Sequence, residues 1–193
     1  MGGETELVVE FLEIAITSVV FLKGIYPAGA FERGRYMNIL VHKARHPQLK
    51  HYIHHSLNQL VPHFQQGLVE RIAVIFFSDE KIPMEKFLFK IDMNHSNKSY
   101  EQMMEHAELE LSLRSFLIKL SQSEPLFKTV VSQDLRWEIT AYFSSPPGDN
   151  VDMWVPTHIK QWKQPPIITP IKSMNIEPLS VQLYIEHPTV LET

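Results

Sequence analysis

The sequence of 193 residues contains no cysteine. Disulfides, thiolate nucleophiles and zinc sites built on cysteine are therefore excluded. Glycine is scarce at seven residues, and neither the P-loop nor the dinucleotide-binding glycine pattern is present. The Gly-x-Ser-x-Gly elbow of serine hydrolases is also absent. Together these absences argue against an enzyme, and we expect no catalytic residues and no cofactor.

Positive charge is also in short supply. Lysine and arginine number 18 against 22 aspartate and glutamate, which gives a formal net charge of −4. A dedicated nucleic-acid binder uses a strong positive field to displace counterions, so we expect no direct nucleic-acid contact. The longest charge-free apolar run, Ile14 to Leu22, is too short to cross a bilayer. The acidic start, Met1 to Glu4, does not match a secretory signal, and we expect a soluble intracellular protein without a membrane role.

Apolar residues at helical spacing predict three helices. The first, 7–22, is apolar nearly all round and should lie at the centre of the core; Gly24 should end it. The second, 47–64, begins with a proline in its first turn. The third runs to about residue 121, and the spacing of Ser99 and Gln102 predicts a capping box at its start.

Alternating apolar and polar residues predict strands at 71–78, 86–92, 137–143 and 179–186, with a further short strand at 36–41. The first two of these should form a hairpin around the turn 79–81. The predicted elements favour an α+β fold.

Histidines on the second helix give the strongest enzyme-like signal. His51 and His55 are four residues apart, which lets two imidazoles reach one metal. The glutamate of a His-Glu-x-x-His motif is missing, since Tyr52 stands there, and the sequence suggests no third ligand. We therefore expect a solvated helix face and no metal site, with a His-based metal hydrolase as the rival interpretation.

The stretch 144–178 combines prolines and tryptophans in an unusual way. It holds seven of the 13 prolines and two of the three tryptophans, Trp154 and Trp162. We predict a long segment without regular structure, which in a compact domain usually indicates function or disorder. Because its apolar residues are costly to leave in water, it should lie ordered across the body or on a partner. A surface connection whose tryptophans merely patch the core fits the residues equally well.

Several stretches resemble the HORMA-domain family, and within it the subfamily of accessory subunits of translesion DNA polymerase zeta. The resemblance runs nearly from end to end, and the turn around Tyr26 and Pro27 and the final Gln-Leu-Tyr strand are its most specific parts. The matching stretches are 10–15, 25–31, 46–53, 83–87, 113–120, 170–174 and 181–186.

The resemblance implies a single HORMA domain over 1–193, with three helices packed on a mostly antiparallel sheet. Its core would span about 5–143, and a C-terminal "safety belt" over about 144–186 would close on a bound peptide. In this subfamily the peptide is a proline-containing segment of the polymerase catalytic subunit. By position, Tyr52, Trp154 and Pro156 would line the peptide channel; the family has a bulky apolar residue where Pro156 stands.

The same resemblance implies further partners. Ile168, Gln182 and Tyr184 map to the surface that receives the C-terminal domain of the deoxycytidyl-transferase translesion polymerase. Arg114 matches an arginine that pairs HORMA domains in a homodimer, although it also reads as an ordinary solvated arginine. An AAA+ ATPase commonly resets the belt, and the nucleus, with some cytoplasm, is the expected location. A spindle-checkpoint HORMA protein with another client peptide, and a scaffold with a fixed tail, are the alternatives.

Overall fold

The computed structural model describes residues 2–93, 102–123, 135–147, 154–177 and 179–188. Its helices are α1 (Gly2–Lys23), α2 (Pro47–Asn58), α3 (Val61–Gln65) and α4 (Gln102–Gln122), with a single 3-10 turn at Ala28–Ala30. Its strands are β1 (Phe31–Tyr36), β2 (Ile39–Ala44), β3 (Val69–Phe77), β4 (Pro83–Met93), β5 (Arg136–Phe143), β6 (Ile167–Ile176) and β7 (Leu179–His187). None of the described helices combines the length and apolarity needed to span a bilayer.

Five strands form one antiparallel sheet in the order β5-β3-β4-β7-β6, and β1 and β2 form a separate ribbon. The predicted hairpin is confirmed as β3 and β4, which pair from Arg71–Lys90 to Phe77–Pro83. Because side chains alternate along a strand, one sheet face is apolar and packs under the helices, with Val74, Phe87 and Leu183 all buried. The opposite face carries only a small apolar cluster around Ile75 and Leu88, and we call it the open face.

The apolar helix α1 lies at the centre of the core, as its sequence predicts. Leu12 and Val19 are completely buried, and α1 packs against α2, α3, α4 and β2. Gly24 follows the helix with φ +68°, the left-handed conformation that ends helices and favours glycine. The predicted buried stripe of α4 is confirmed; its members are Leu109, Leu113, Phe116, Leu117 and Leu120. The capping box around Ser99 lies outside the described residues.

A buried ion pair fixes the end of α1 to the sheet. Lys23 Nζ lies 2.5 Å from Glu85 Oε2 of β4, and both side chains are nearly inaccessible to water. Burial raises the pKa of Glu85 above its ordinary value, although the neighbouring Lys23 opposes the shift. The Lys23 ammonium also lies 5.6 Å from the centre of the Phe76 ring.

Three sequence predictions need correction. The strand predicted at 36–41 is wrong, because Met37 and Asn38 have positive φ (46° and 60°) and form the two-residue turn between β1 and β2. Turns of this kind suit the twist of a hairpin. The helix predicted at 47–64 ends at Asn58, and a separate short helix, α3, begins at Val61.

The third correction concerns the proline-rich stretch. It is not irregular throughout, since 167–176 forms β6. A proline lacks the N–H for a central sheet ladder and is tolerated at an edge or a bulge. Pro170 meets both conditions, because β6 is the outermost strand and its register with β7 shifts between Pro170 and Lys172.

Candidate functional site

The connection from β5 to β6 joins the two opposite edges of the sheet, because these are its outermost strands. Four strand spacings of about 4.8 Å separate the edges, so the chain has to travel on the order of 19 Å across the sheet. We call the described part of this connection, residues 154–166, the strap. Its contacts with Phe77, Lys86 and Glu186 place it over the open face.

A cavity of about 820 Å³ lies between β5 and the first residues of the strap. One wall is the strand itself from Glu138 to Phe143, and the others are α2 and the first half of the strap. Among the strands that the structure describes, β5 pairs with β3 alone, so the backbone groups along its other side face this space. An unpaired edge of this kind is a template for a further strand.

Tyr52 is placed in this cavity by α2. Its ring packs edge-on against Trp137 with centroids 5.3 Å apart, and its hydroxyl accepts a hydrogen bond from the Ile139 backbone N–H at 3.1 Å. Burial raises the pKa of Tyr52 above its ordinary value. Since backbone groups alternate in direction along a strand, this bond marks Ile139 as one of the residues that face the free edge.

Trp154 and Pro156 enter the same cavity from the strap. The ring of Trp154 is partly buried and packs against the main core. Its indole N–H is shielded from water and has no acceptor among the residues that the structure describes, a situation that costs free energy until a partner arrives. Val155 and Ile159, which line the cavity too, are 82% and 68% exposed. The structure thus brings the three predicted channel residues together and adds two apolar neighbours.

Polar side chains fasten the middle of the strap to the sheet. Lys160 forms an ion pair with Glu138 of β5, and its ammonium lies 4.5 Å from the centre of the Phe77 ring. The backbone carbonyl of Lys160 accepts a hydrogen bond from Lys86 Nζ at 3.1 Å. Glu138 of β5 therefore holds the side chain of Lys160, and Lys86 of β4 holds its backbone.

Trp162 provides the next attachment. Its indole N–H donates to Glu186 Oε2 of β7 at 3.1 Å, and Lys86 Nζ lies 5.3 Å from the centre of its ring. Lys86 is 4% exposed, and desolvation lowers the pKa of its ammonium although Glu186 opposes the shift. The sequence did not predict that Lys86, Glu138 and Glu186 hold the strap. Their signal is that charged residues stand at alternate positions of strands whose other face is buried in the core.

The sequence profile of the HORMA domain matches residues 5–141. The chain belongs to the HORMA-domain family. It is 50% identical over 195 residues to the DNA polymerase zeta processivity subunit of Arabidopsis thaliana, which covers 99% of this chain and 89% of that protein. It is also 26% identical over 209 residues to the mitotic spindle assembly checkpoint protein MAD2B of Danio rerio, covering 95% and 90% of the two chains.

Solved structures share the fold at low sequence identity. A chain in the crystal structure of the mitotic checkpoint complex superposes with a TM-score of 0.83 at 16% identity, covering 97% of this HORMA domain and 99% of that chain. The C. elegans protein HTP-2 bound to HTP-3 closure motif 1 gives a TM-score of 0.77 at 8% identity, covering 97% and 87%. The α+β HORMA fold predicted from the sequence is confirmed.

The second predicted surface of this HORMA domain lies at the far side of the sheet. Tyr184 is directly opposite Pro170, and Ile168 is opposite Glu186 in the β6–β7 pair. Directly opposed residues project on the same side, so Ile168, Gln182 and Tyr184 share the open face. Ile168 is 60% exposed, and Tyr184 packs beside the Ile75–Leu88 cluster. Whether this group binds a partner stays a prediction.

Arg114 lies on α4, which contributes neither to the cavity under the strap nor to the open-face group around Tyr184. Its side chain is half-buried, and its Nε has no acceptor within the described part of the chain. Two apolar residues of the same helix, Leu111 and Ile118, are 62% and 38% exposed. Its predicted role in a homodimer likewise stays a prediction.

The histidines of α2 contact other side chains. His51 and His55 stack with ring centroids 5.1 Å apart, and both line the cavity. His54 bonds Glu13 of α1, with Nδ1 2.9 Å from Oε2. Within residues 2–93 and the other described ranges, no three His, Asp or Glu side chains are grouped to hold a metal ion.

Proposed function

We propose that this HORMA-domain protein is a non-catalytic adaptor subunit of DNA polymerase zeta in translesion synthesis. In this proposal an extended, proline-containing segment of the catalytic subunit, the guest, pairs with the free edge of β5. The strap then lies over the guest and holds it against the sheet. Tyr52, Trp154 and Pro156 contact its side chains.

One observation carries the proposal: an edge of β5 to which no described strand pairs faces a cavity that the strap lines. Backbone pairing along a strand edge gives affinity without demanding a particular sequence. Buried aromatic residues such as Trp154 then provide the anchoring that dominates binding energy at interfaces. The unpartnered indole N–H of Trp154 further favours a guest that brings an acceptor.

The comparisons support the same function. The Arabidopsis protein that is 50% identical over nearly the whole chain is a DNA polymerase zeta processivity subunit. The HTP-2 structure, which shares the fold, is bound to a closure motif. Both facts favour a domain of this shape that holds a segment of another protein.

The position of the strap determines how the guest would leave. Because the strap is attached to the sheet at β5 through Lys160 and at β7 through Trp162, the guest stays enclosed beneath it while these attachments hold. Release then requires local opening of the strap, and local opening costs free energy. We expect slow dissociation, with an AAA+ remodeller as the proposed agent of reopening.

The test uses overlapping peptides from the catalytic subunit of the polymerase of the same organism. Binding of the full chain is measured by calorimetry, and dissociation is followed after addition of excess unlabelled peptide. We expect one stretch to bind, with a residence time of minutes or longer, and its scrambled sequence to fail. If no stretch of the catalytic subunit bound, the proposal would be wrong.

A spindle-checkpoint adaptor is the second candidate, favoured by the similarity to MAD2B of Danio rerio. The same assay separates the two when peptides from mitotic regulators are included. Tighter capture of a mitotic peptide than of any polymerase peptide would favour this candidate.

The remaining partners belong to the proposal as well. Ile168, Gln182 and Tyr184 would receive the C-terminal domain of the deoxycytidyl-transferase translesion polymerase, which would link two polymerases. Arg114 would contribute to a homodimer. The nucleus, with some cytoplasm, is the proposed location, and imaging of the tagged protein before and after DNA damage tests it.

A further inference from the structure

We propose that the two-stranded ribbon β1–β2 binds the phosphate backbone of duplex DNA. The inference extends the proposed function, since it would put this subunit itself on the DNA that its polymerase copies. It departs from what the overall negative charge predicts, because the charges are unevenly placed.

Residues 31–50 carry five lysines and arginines but only one carboxylate, that of Glu32. The rest of the chain is strongly acidic, with 13 lysines and arginines against 21 aspartates and glutamates. None of the five cations makes an ion pair with a residue that the structure describes; they are Arg33, Arg35, Lys43, Arg45 and Lys50. The ribbon and the start of α2 therefore form a local positive region on a negative protein.

The geometry of the ribbon presents these charges to solvent. Arg33 and Arg35 are two residues apart on β1, so they project on the same side, and both are exposed. Leu40, directly opposite Arg35, is 68% exposed on that side. At the base of the ribbon, the backbone N–H groups of Arg45 and His46 both donate to Ala30 O. These bonds fix the backbone position of Arg45.

Gly34 makes room for a cation on the opposite side of the ribbon by having no side chain. A Cβ at Gly34 would lie 2.9 Å from the Cδ and Cε of Lys43, closer than real contacts allow. The stem of Lys43 therefore crosses the ribbon at Gly34. Lys43 stands opposite Glu32, so it lies on the other side of the ribbon from Arg33 and Arg35.

Duplex DNA fits this surface better than an acidic peptide does. The major groove is about 12 Å wide and admits a two-stranded ribbon, and guanidinium groups bind phosphate oxygens in bidentate fashion. A peptide would need a pocket for an anchoring side chain, yet residues 31–50 line neither the cavity under the strap nor two smaller cavities beside β3 and β4. The acidic remainder of the surface would repel DNA and so leave this side to face it.

The experiment measures anisotropy of a labelled 20-base-pair duplex with the purified full chain over a range of salt concentrations. We expect micromolar binding in low salt, the order typical of contacts to the backbone alone. The double variant Arg33→Ala with Arg35→Ala should weaken binding at least tenfold and reduce the slope of log K against log salt by about 2. Lys90→Ala with Lys119→Ala removes two exposed cations elsewhere and should change affinity less than twofold.

Three results would overturn the inference: no binding of the duplex in low salt, equal loss in the two double variants, or equal competition by a polyglutamate peptide of matched charge. Circular dichroism of each variant checks that it is folded. Capture of the polymerase peptide by the ribbon variant is measured in parallel and should be unchanged. If the wild type captures the peptide but does not bind DNA, the ribbon proposal fails. If it binds DNA but captures no peptide, the proposed function fails.

Discussion

The Tyr52 hydroxyl lies 3.1 Å from the Ile139 backbone nitrogen and accepts its hydrogen bond. A side chain of α2 thus occupies one donor on the strand edge where we propose that the guest pairs. In the empty protein this contact satisfies a backbone group that would otherwise be partly buried without a partner. On binding, a carbonyl of the guest would have to replace the hydroxyl.

Tyr52→Phe tests this exchange. Loss of the hydroxyl should lower the free energy of unfolding of the empty protein by about 1 kcal/mol. Guest affinity should not fall and should rise by up to about fivefold, because only the empty state loses a hydrogen bond. Urea denaturation and calorimetry provide the two values.

Tyr26→Phe is the control for Tyr52→Phe. The Tyr26 hydroxyl accepts a hydrogen bond from Trp137 Nε1, and its loss should leave guest affinity unchanged. A tenfold loss of affinity in Tyr52→Phe would show instead that the hydroxyl binds the guest.

Trp154→Ala should weaken guest capture by about 2–4 kcal/mol, the range of interface hot spots. Trp154→Phe keeps an aromatic ring but removes the indole N–H, and should lose roughly tenfold if the guest supplies the acceptor. Gln161→Ala, at an exposed strap position outside the cavity, should change the dissociation constant less than twofold. Unaltered calorimetric affinity in Trp154→Ala would remove this tryptophan from the channel.

Glu138→Gln should make the guest dissociate about 3- to 30-fold faster, because it weakens the attachment of Lys160 to β5. Surface ion pairs contribute little, and Arg136→Gln breaks such a pair between β5 and Asp79 of the β3–β4 turn, so it should leave the rate unchanged. Lys160→Met combined with Glu138→Gln should be no faster than the faster single variant. Stopped-flow competition measures the rates, and additive effects of the two changes would mean that they act separately.

Tyr184→Ala should spare the guest and weaken binding of the translesion-polymerase C-terminal domain at least tenfold. The reason is position: Tyr184 lies on the open face of the β6–β7 pair, whereas the guest cavity is lined by β5, α2 and the strap. Ser180→Ala, on the same strand, is the control. Loss of both ligands in Tyr184→Ala would indicate misfolding, and retention of both would remove this residue from the second surface.

Glu85→Gln should lower the free energy of unfolding by about 3–5 kcal/mol, because it leaves the buried Lys23 without its carboxylate. Replacing the pair together, Lys23→Met with Glu85→Leu, should recover most of this loss. Urea denaturation of the wild type and both variants at neutral pH provides the values.

Much of the fold could be predicted because its elements carry strong local patterns. The buried stripe of α4 and the alternation of β7 follow directly from spacing. The β1–β2 ribbon was missed because Met37 and Asn38 lack the glycine that usually marks such a turn. β6 was missed because Pro170 argues against a strand until one knows that it lies at the sheet edge.

The residues of the site also divide into those that the sequence predicts and those that it does not. Tyr52 and Trp154 were found through the family resemblance, and the cavity that joins them depends on a sheet order that no local pattern contains. The attachments of Lys86, Glu138 and Lys160 join residues up to 74 positions apart. Only the crossing of the strap over the sheet brings these charges together.

The two edges of the sheet differ in a way that fixes stoichiometry. The outer strand β6 carries a proline and a register shift, features that discourage another strand from adding there, whereas β5 offers an open edge beside the cavity. Each molecule would therefore accept one extended chain and could not polymerise edge to edge. A larger assembly would need a guest protein with several matching motifs, each of which binds one copy of this protein.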